Sequence, residues 1–120
     1  MDWKLDLVVV PVSDVDRAKA FYTGQLGFNA DHDHTVSDEL RFVQLTPPGS
    51  ACSIALGKGL TDAAPGSLKG VQLVVDDIKV AHNQLRDRGV AVSDIPVGPV
   101  RLLQRPRRQR MSVQQIPRRP

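Results

Sequence analysis

Apolar and polar positions follow two rhythms near the start of the chain. Residues 5–12 are short, rich in β-branched side chains and almost continuously apolar, which predicts a strand buried on both faces. Pro11 has no amide donor, so that end of the strand belongs at an edge or a bulge. From Val15 the rhythm becomes helical. Val15, Ala18, Phe21, Tyr22 and Leu26 fall on one side, with Arg17, Lys19 and Gln25 on the other. Asp14 suits the N-cap, Asp16 suits the positive end of the helix, and Gly27 suits a left-handed stop. Three further strands are predicted at residues 28–35, 39–46 and 51–56. A Thr46-Pro47-Pro48-Gly49-Ser50 turn separates the last two.

The pattern then restarts. Val8-Val9-Val10-Pro11-Val12-Ser13-Asp14 matches Val71-Gln72-Leu73-Val74-Val75-Asp76-Asp77 at an offset of 63. Val15/Ile78, Ala18/Ala81 and Tyr22/Leu85 continue the match along the helix. Gly27 and Gly89 match at an offset of 62, so the second helix is one residue shorter. Such a repeat predicts two supersecondary units, neither able to close a core alone. The expected organisation is one domain over 1–120, with module one at about 5–57, a linker at 58–67 and module two at about 68–117.

Composition narrows the class. The chain is 41% hydrophobic and 24% charged, ordinary for a soluble globular protein. No apolar run reaches the roughly 18 residues needed to span a bilayer. The first residues do not resemble a signal peptide, and Cys52 is the single cysteine, so a cytoplasmic location without disulfides is expected. The net charge of +3 hides an asymmetry: residues 1–100 hold all 13 acids, whereas residues 101–120 hold seven arginines and no acid. A basic end of this kind can contact nucleic acid. This one has no interleaved aromatics for stacking on bases, which weighs against that partner.

Few residues carry candidate chemistry. His32 and His34 share one side of a strand and have the side chains for a metal pair or an acid and base. A solvated strand edge is the plainer reading. Phe42 and Gln44 share a face opposite Val43 and Leu45, and with Leu7 and Leu56 would make a mostly apolar pocket with one amide. Arg41 suits an anionic ligand or a plain surface position. His82 falls on the polar side of the second helix, and Cys52 suits an inert core thiol. No Ser-His-Asp spacing, phosphate loop or CxxC pair occurs.

VPVSDVDRAKAFYTGQLGF at 10–28 and LVVDDIKVAHNQLRDRGV at 73–90 resemble the vicinal oxygen chelate superfamily, which includes glyoxalase I, bleomycin-resistance proteins and extradiol dioxygenases. The resemblance implies an α+β fold of two βαβββ modules forming a cupped mixed sheet, commonly a homodimer. It also implies a divalent metal held by His and Glu side chains. The family's ligand positions fall here on Leu7, on Gly70 and within Ser53-Ile54-Ala55-Leu56, which supply no imidazole, carboxylate or thiolate. The expectation is therefore metal-independent binding of a small apolar or aromatic molecule, without cofactor, through Leu7, His34, Phe42, Gln44 and Leu56. The alternative is a metal-dependent lyase, isomerase or dioxygenase using other ligands, such as His32 and His34.

The family ends with a strand, a turn resembling Asp-Pro-Asp-Gly-Asn and a final strand. Here residues 102–111 read LLQRPRRQRM, which suits a buried strand poorly and predicts a module two disturbed at its C-terminal strands. Permitted codons for this stretch, CTT CTT CAG CGA CCC CGA CGG CAA CGG ATG, read one base later as Phe-Phe-Ser-Asp-Pro-Asp-Gly-Asn-Gly. A compensated frameshift across about 100–111 explains both the arginines and the missing turn. Sequencing the coding DNA tests it. The expected codons open that second frame, and codons that cannot encode the motif there dismiss the idea.

Overall fold

The computed structural model describes residues 1–92, 100–104 and 110–115. In chain order these form β1 (Leu7–Val9), α1 (Val15–Ala20), a π-helical turn (Phe21–Gln25), β2 (Asn29–Ser37), β3 (Leu40–Thr46) and β4 (Ser53–Lys58). The second unit, which begins at Leu68, holds β5 (Gln72–Val75), α2 (Ile78–Asp87), β6 (Val100–Gln104) and β7 (Arg110–Gln115).

The helix starts are set by the expected caps. Asp14 is extended and its carboxylate accepts from the Arg17 amide at 3.1 Å. Asp77 accepts from the Lys79 and Val80 amides at 3.0 and 3.2 Å. Each cap satisfies amides that the first helical turn leaves without partners. The one-residue difference between the two helices also has a structural cause. The Leu26 amide bonds the Phe21 carbonyl at 3.2 Å, five residues back, which is the wider π spacing. The closing bond of the first module then runs from the Phe28 amide to the Tyr22 carbonyl at 2.9 Å. Its counterpart in the second runs from Val90 to Leu85, also at 2.9 Å. One span covers six residues and the other five, so the π turn absorbs the extra residue. Gly27 (φ 76°) and Gly89 (φ 79°) occupy equivalent left-handed positions after both.

The first sheet has the order β1-β4-β3-β2. β4 lies parallel to β1 and antiparallel to β3, and β2 lies antiparallel to β3. β1 is shorter than the apolar run that predicts it, because Pro11 ends the ladder one residue after the Val10 amide bonds the Ala55 carbonyl at 2.9 Å. Directly paired residues share a face. Val43, Leu45, Ile54 and Leu56 therefore lie together with Val8 and Val10 on the face that meets α1. Val43, Leu45 and Leu56 are fully shielded, and Val15, Ala18, Phe21 and Tyr22 of the helical segment are buried. Tyr22 meets Phe21 edge to face and Phe28 at a tilt, at centroid distances of 5.3 and 5.4 Å. Each of these larger side chains contributes about 1.5–3 kcal/mol through burial.

β2 is the outer strand and is exposed along its whole length. Two bulges interrupt its pairing with β3, at Asp31 and at Val36. Between them Asp33 ties the outer strands to the helix. Its carboxylate receives the Arg41 guanidinium through two bonds of 3.0 and 2.9 Å and the Lys19 ammonium at 2.8 Å. Arg41 also reaches Asp16 at 2.7 Å. Sequence spacing does not reveal this cluster, because its members come from α1, β2 and β3.

The second sheet has the order β5-β7-β6, with β7 parallel to β5 and antiparallel to β6. The β5–β7 pair repeats the parallel β1–β4 pairing, and β6–β7 repeats β3–β4. In 100–104 and 110–115, where the sequence leads one to expect a disturbance, the backbones pair regularly. Ladder bonds join main-chain groups, and the side chains of a strand stand away from them. The region of the expected Asp-Pro-Asp-Gly-Asn turn, at 105–109, and most of the strand expected after Val90 lie outside the described residues. Among the described residues no helix is long and apolar enough to cross a membrane.

The Asp33 cluster generates a pH-dependent prediction. Hydrogen bonds from Arg41 and Lys19 hold the Asp33 carboxyl well below the usual carboxylate range. Its stabilisation is thus complete above the unfolded value of about 3.9 and fades as the pH falls below that. Asp33→Asn is expected to lower the unfolding free energy by about 1 kcal/mol at neutral pH, since solvent screens an exposed cluster. Urea unfolding of both proteins should show that difference shrinking progressively below about pH 4. A difference independent of pH would assign the effect to packing instead.

Candidate functional site

The face of the first sheet opposite α1 carries the candidate residues. The β1–β4 register pairs Leu7 with Ser53 and Val9 with Ala55. The β3–β4 register pairs Gln44 with Ala55 and Phe42 with Gly57. The β2–β3 register adds His32 opposite Gln44 and His34 opposite Phe42. Leu7, Val9, Phe42, Gln44, Thr46, Ser53, Ala55 and Gly57 thus share a surface bordered by the two imidazoles. The hydrocarbon there is half-buried at Leu7, Val9 and Phe42, and the floor between them is made of small residues. A methyl group added to Gly57 would stand 1.8 Å from the Arg41 carbonyl oxygen, so the floor is kept flat opposite Phe42 by backbone proximity.

Of the residues expected to bind a ligand, Leu7, His34, Phe42 and Gln44 are on this face. Leu56 is corrected to the other: it pairs with Val43, is fully shielded and packs toward α1. The expectation groups it with Leu7 without the register, and Leu7 pairs with Ser53, an odd number of residues from Leu56. Arg41 also faces the helix, where Asp33 and Asp16 engage it and raise its affinity for its proton. His32 and His34 are exposed, with near-parallel rings 5.7 Å apart. His82 lies on α2, and the half-buried Cys52 directs its thiol toward the Ser53 carbonyl.

Sequence reasoning misses a polar row across this face. Ser53 is the buried polar residue of the first sheet, 5% exposed. Its hydroxyl meets the Gln44 side-chain amide nitrogen at 3.3 Å and the Thr46 hydroxyl at 2.7 Å. The Thr46 hydroxyl in turn donates to the Asp31 carboxylate. Asp31 is the bulged residue between the paired Ala30 and His32. The signal available in the sequence is the placement of Thr46 and Ser53 at the two ends of the Pro-Pro-Gly turn, where an antiparallel ladder brings them together.

The family's metal-ligand positions can be tested against this geometry. Leu7 contributes hydrocarbon, Gly70 has no side chain, and β4 offers Ser53 and Ala55 to this face while Ile54 and Leu56 point to the helix side. A hydroxyl already bonded to two neighbours is a poor substitute for imidazole or carboxylate, so the residues present do not fit the metal. Among the described residues no group of three His, Cys, Asp or Glu side chains is placed to hold an ion.

The solved structures similar to this chain share both modules. An antibiotic-binding protein from Streptomyces sp. CB03234 is 31% identical, with a TM-score of 0.82, over 97% of this chain and 98% of its own. A glyoxalase/bleomycin resistance protein from the same organism is 32% identical, with a TM-score of 0.78, over 93% and 100%. A superfamily member from Sphaerobacter thermophilus DSM 20745 is 27% identical, with a TM-score of 0.80, over 96% and 98%. No curated protein matches the sequence significantly. The family profile matching residues 4–100 agrees with the strand pairing and the repeat, and the chain belongs to the glyoxalase/bleomycin resistance protein/dioxygenase superfamily.

Proposed function

We propose that this protein binds a small apolar or aromatic molecule on the open face of its first sheet, without a metal ion. The observation that carries this reading is the chemistry at the family's ligand positions, where Leu7 and the Ser53-Ala55 pair supply hydrocarbon and one committed hydroxyl. Phe42 offers a ring, Leu7 and Val9 offer aliphatic walls, and Gln44 offers one oriented polar group. A largely apolar surface with few polar anchors is the usual composition of a small-molecule site. The similarity to an antibiotic-binding protein at 31% identity supports the binding of a small molecule.

A thermal-shift screen of aromatic antibiotics, thiol conjugates and catechols, with and without chelator, tests the reading. The expected outcome is a rise in Tm with an apolar aromatic compound that chelator leaves unchanged. Ligand at a hundred times its Kd stabilises the fold by about 2.7 kcal/mol. Phe42→Ala should weaken that ligand by about three- to tenfold, since a lost aromatic contact of this kind is worth about 0.5–1.5 kcal/mol. Stoichiometric Zn, Ni, Mn or Fe in the purified protein, with binding abolished by chelator, would overturn the reading in favour of a metal-dependent lyase, isomerase or dioxygenase.

A further inference from the structure

The polar row on the open face has a direction, and that direction selects the ligand. A carboxylate accepts hydrogen bonds and cannot donate, so the contact between Thr46 and Asp31 uses the single Thr46 proton. The Thr46 oxygen must then accept at its 2.7 Å contact with Ser53, which uses the single Ser53 proton. The Ser53 oxygen is left as an acceptor, and only the NH2 end of the Gln44 amide satisfies it, at 3.3 Å. The orientation of Gln44, ambiguous from atomic positions alone, is thereby decided by a carboxylate three bonds away along the row. Gln44 Oε1 points away from Ser53 and takes no hydrogen bond among the described residues. A half-buried amide oxygen in this situation favours a donor and penalises a second acceptor.

We propose that Gln44 is the specificity-determining residue of this face, set by Asp31 through Thr46 and Ser53 to accept from the ligand. The ligand class is then an aromatic molecule bearing a hydroxyl or N–H donor, such as a phenol, rather than an ether, ketone or carboxylate at that position. This rests on the binding face proposed above and adds the polarity of its anchor. It also gives Asp31, the bulged residue of β2, a role.

The probes are 2-naphthol and 2-methoxynaphthalene, which share a ring system and differ in the donor. Titration by NMR of the full chain is expected to show naphthol binding about tenfold more tightly, the discrimination typical of an unpaired polar group in a site. Thr46→Val breaks the row, freeing the Ser53 hydroxyl to turn and donate to Gln44, so that the amide flips. The preference should fall to about twofold or less. Asp31→Ala, at an exposed position that a fold tolerates, should do the same from the far end. Gln44→Leu should retain methoxynaphthalene and lose the preference. Equal binding of both probes to the unaltered protein overturns the proposal while leaving the binding face intact. So does full preference in Thr46→Val and Asp31→Ala, each confirmed folded by its melting curve. Binding of neither probe removes the binding face, and this inference with it.

Discussion

The first unit depends on β4 being paired along both edges. β1 runs beside it in parallel and β3 in antiparallel, so its main chain is saturated and its side chains are pressed from two sides. Ser53, Ile54, Ala55 and Leu56 are all buried as a result. Alternation divides them. Ile54 and Leu56 meet the helical segment and provide cohesion, while Ser53 and Ala55 face the open side and keep it shallow. The same four residues therefore shape both faces of the sheet. This division also explains why large side chains are confined to alternate positions. A bulky residue in place of Ala55 would protrude from the open face, and a small residue in place of Leu56 would leave a cavity beneath the helix.

The parts legible in the sequence are those governed by local rules. Asp14 and Asp77 cap helices because a short carboxylate next to free amides has one favourable use, and Gly27 and Gly89 follow because few other residues accept a positive φ. The repeat shows the rest of the architecture by self-similarity. The arrangement of the site is less legible because it depends on register. Alternation alone says that Phe42 and Gln44 share a face, but only strand pairing says that Leu56 does not join them. The bulge at Asp31 is invisible in composition, yet it decides which side of the sheet the following residues occupy. The Asp33–Arg41 cluster escapes for a related reason. Its members are distant in sequence, and charged residues spaced in this way usually lie apart on the surface.

The two modules show how much variation the same plan absorbs. The parallel pairing of first and last strands recurs in both, although the side chains of the second carry far more arginine near its end. The helix of the first is longer by one residue, and the π turn takes up the difference before the glycine. Main-chain pairing thus recurs between the copies while the side chains at matching positions diverge.

The exposed outer strand has a further consequence. Nine residues of extended chain at the rim of a sheet form a template onto which strands from other molecules can add. β2 is poorly suited to that use. Its two bulges break the regular spacing of its free amides and carbonyls, and Asp31 adds a carboxylate at the first of them. An incoming copy would meet a bent, charged edge that matches no register for more than a few residues. The irregularity at Asp31 also limits the length of regular strand edge that β2 offers to another chain.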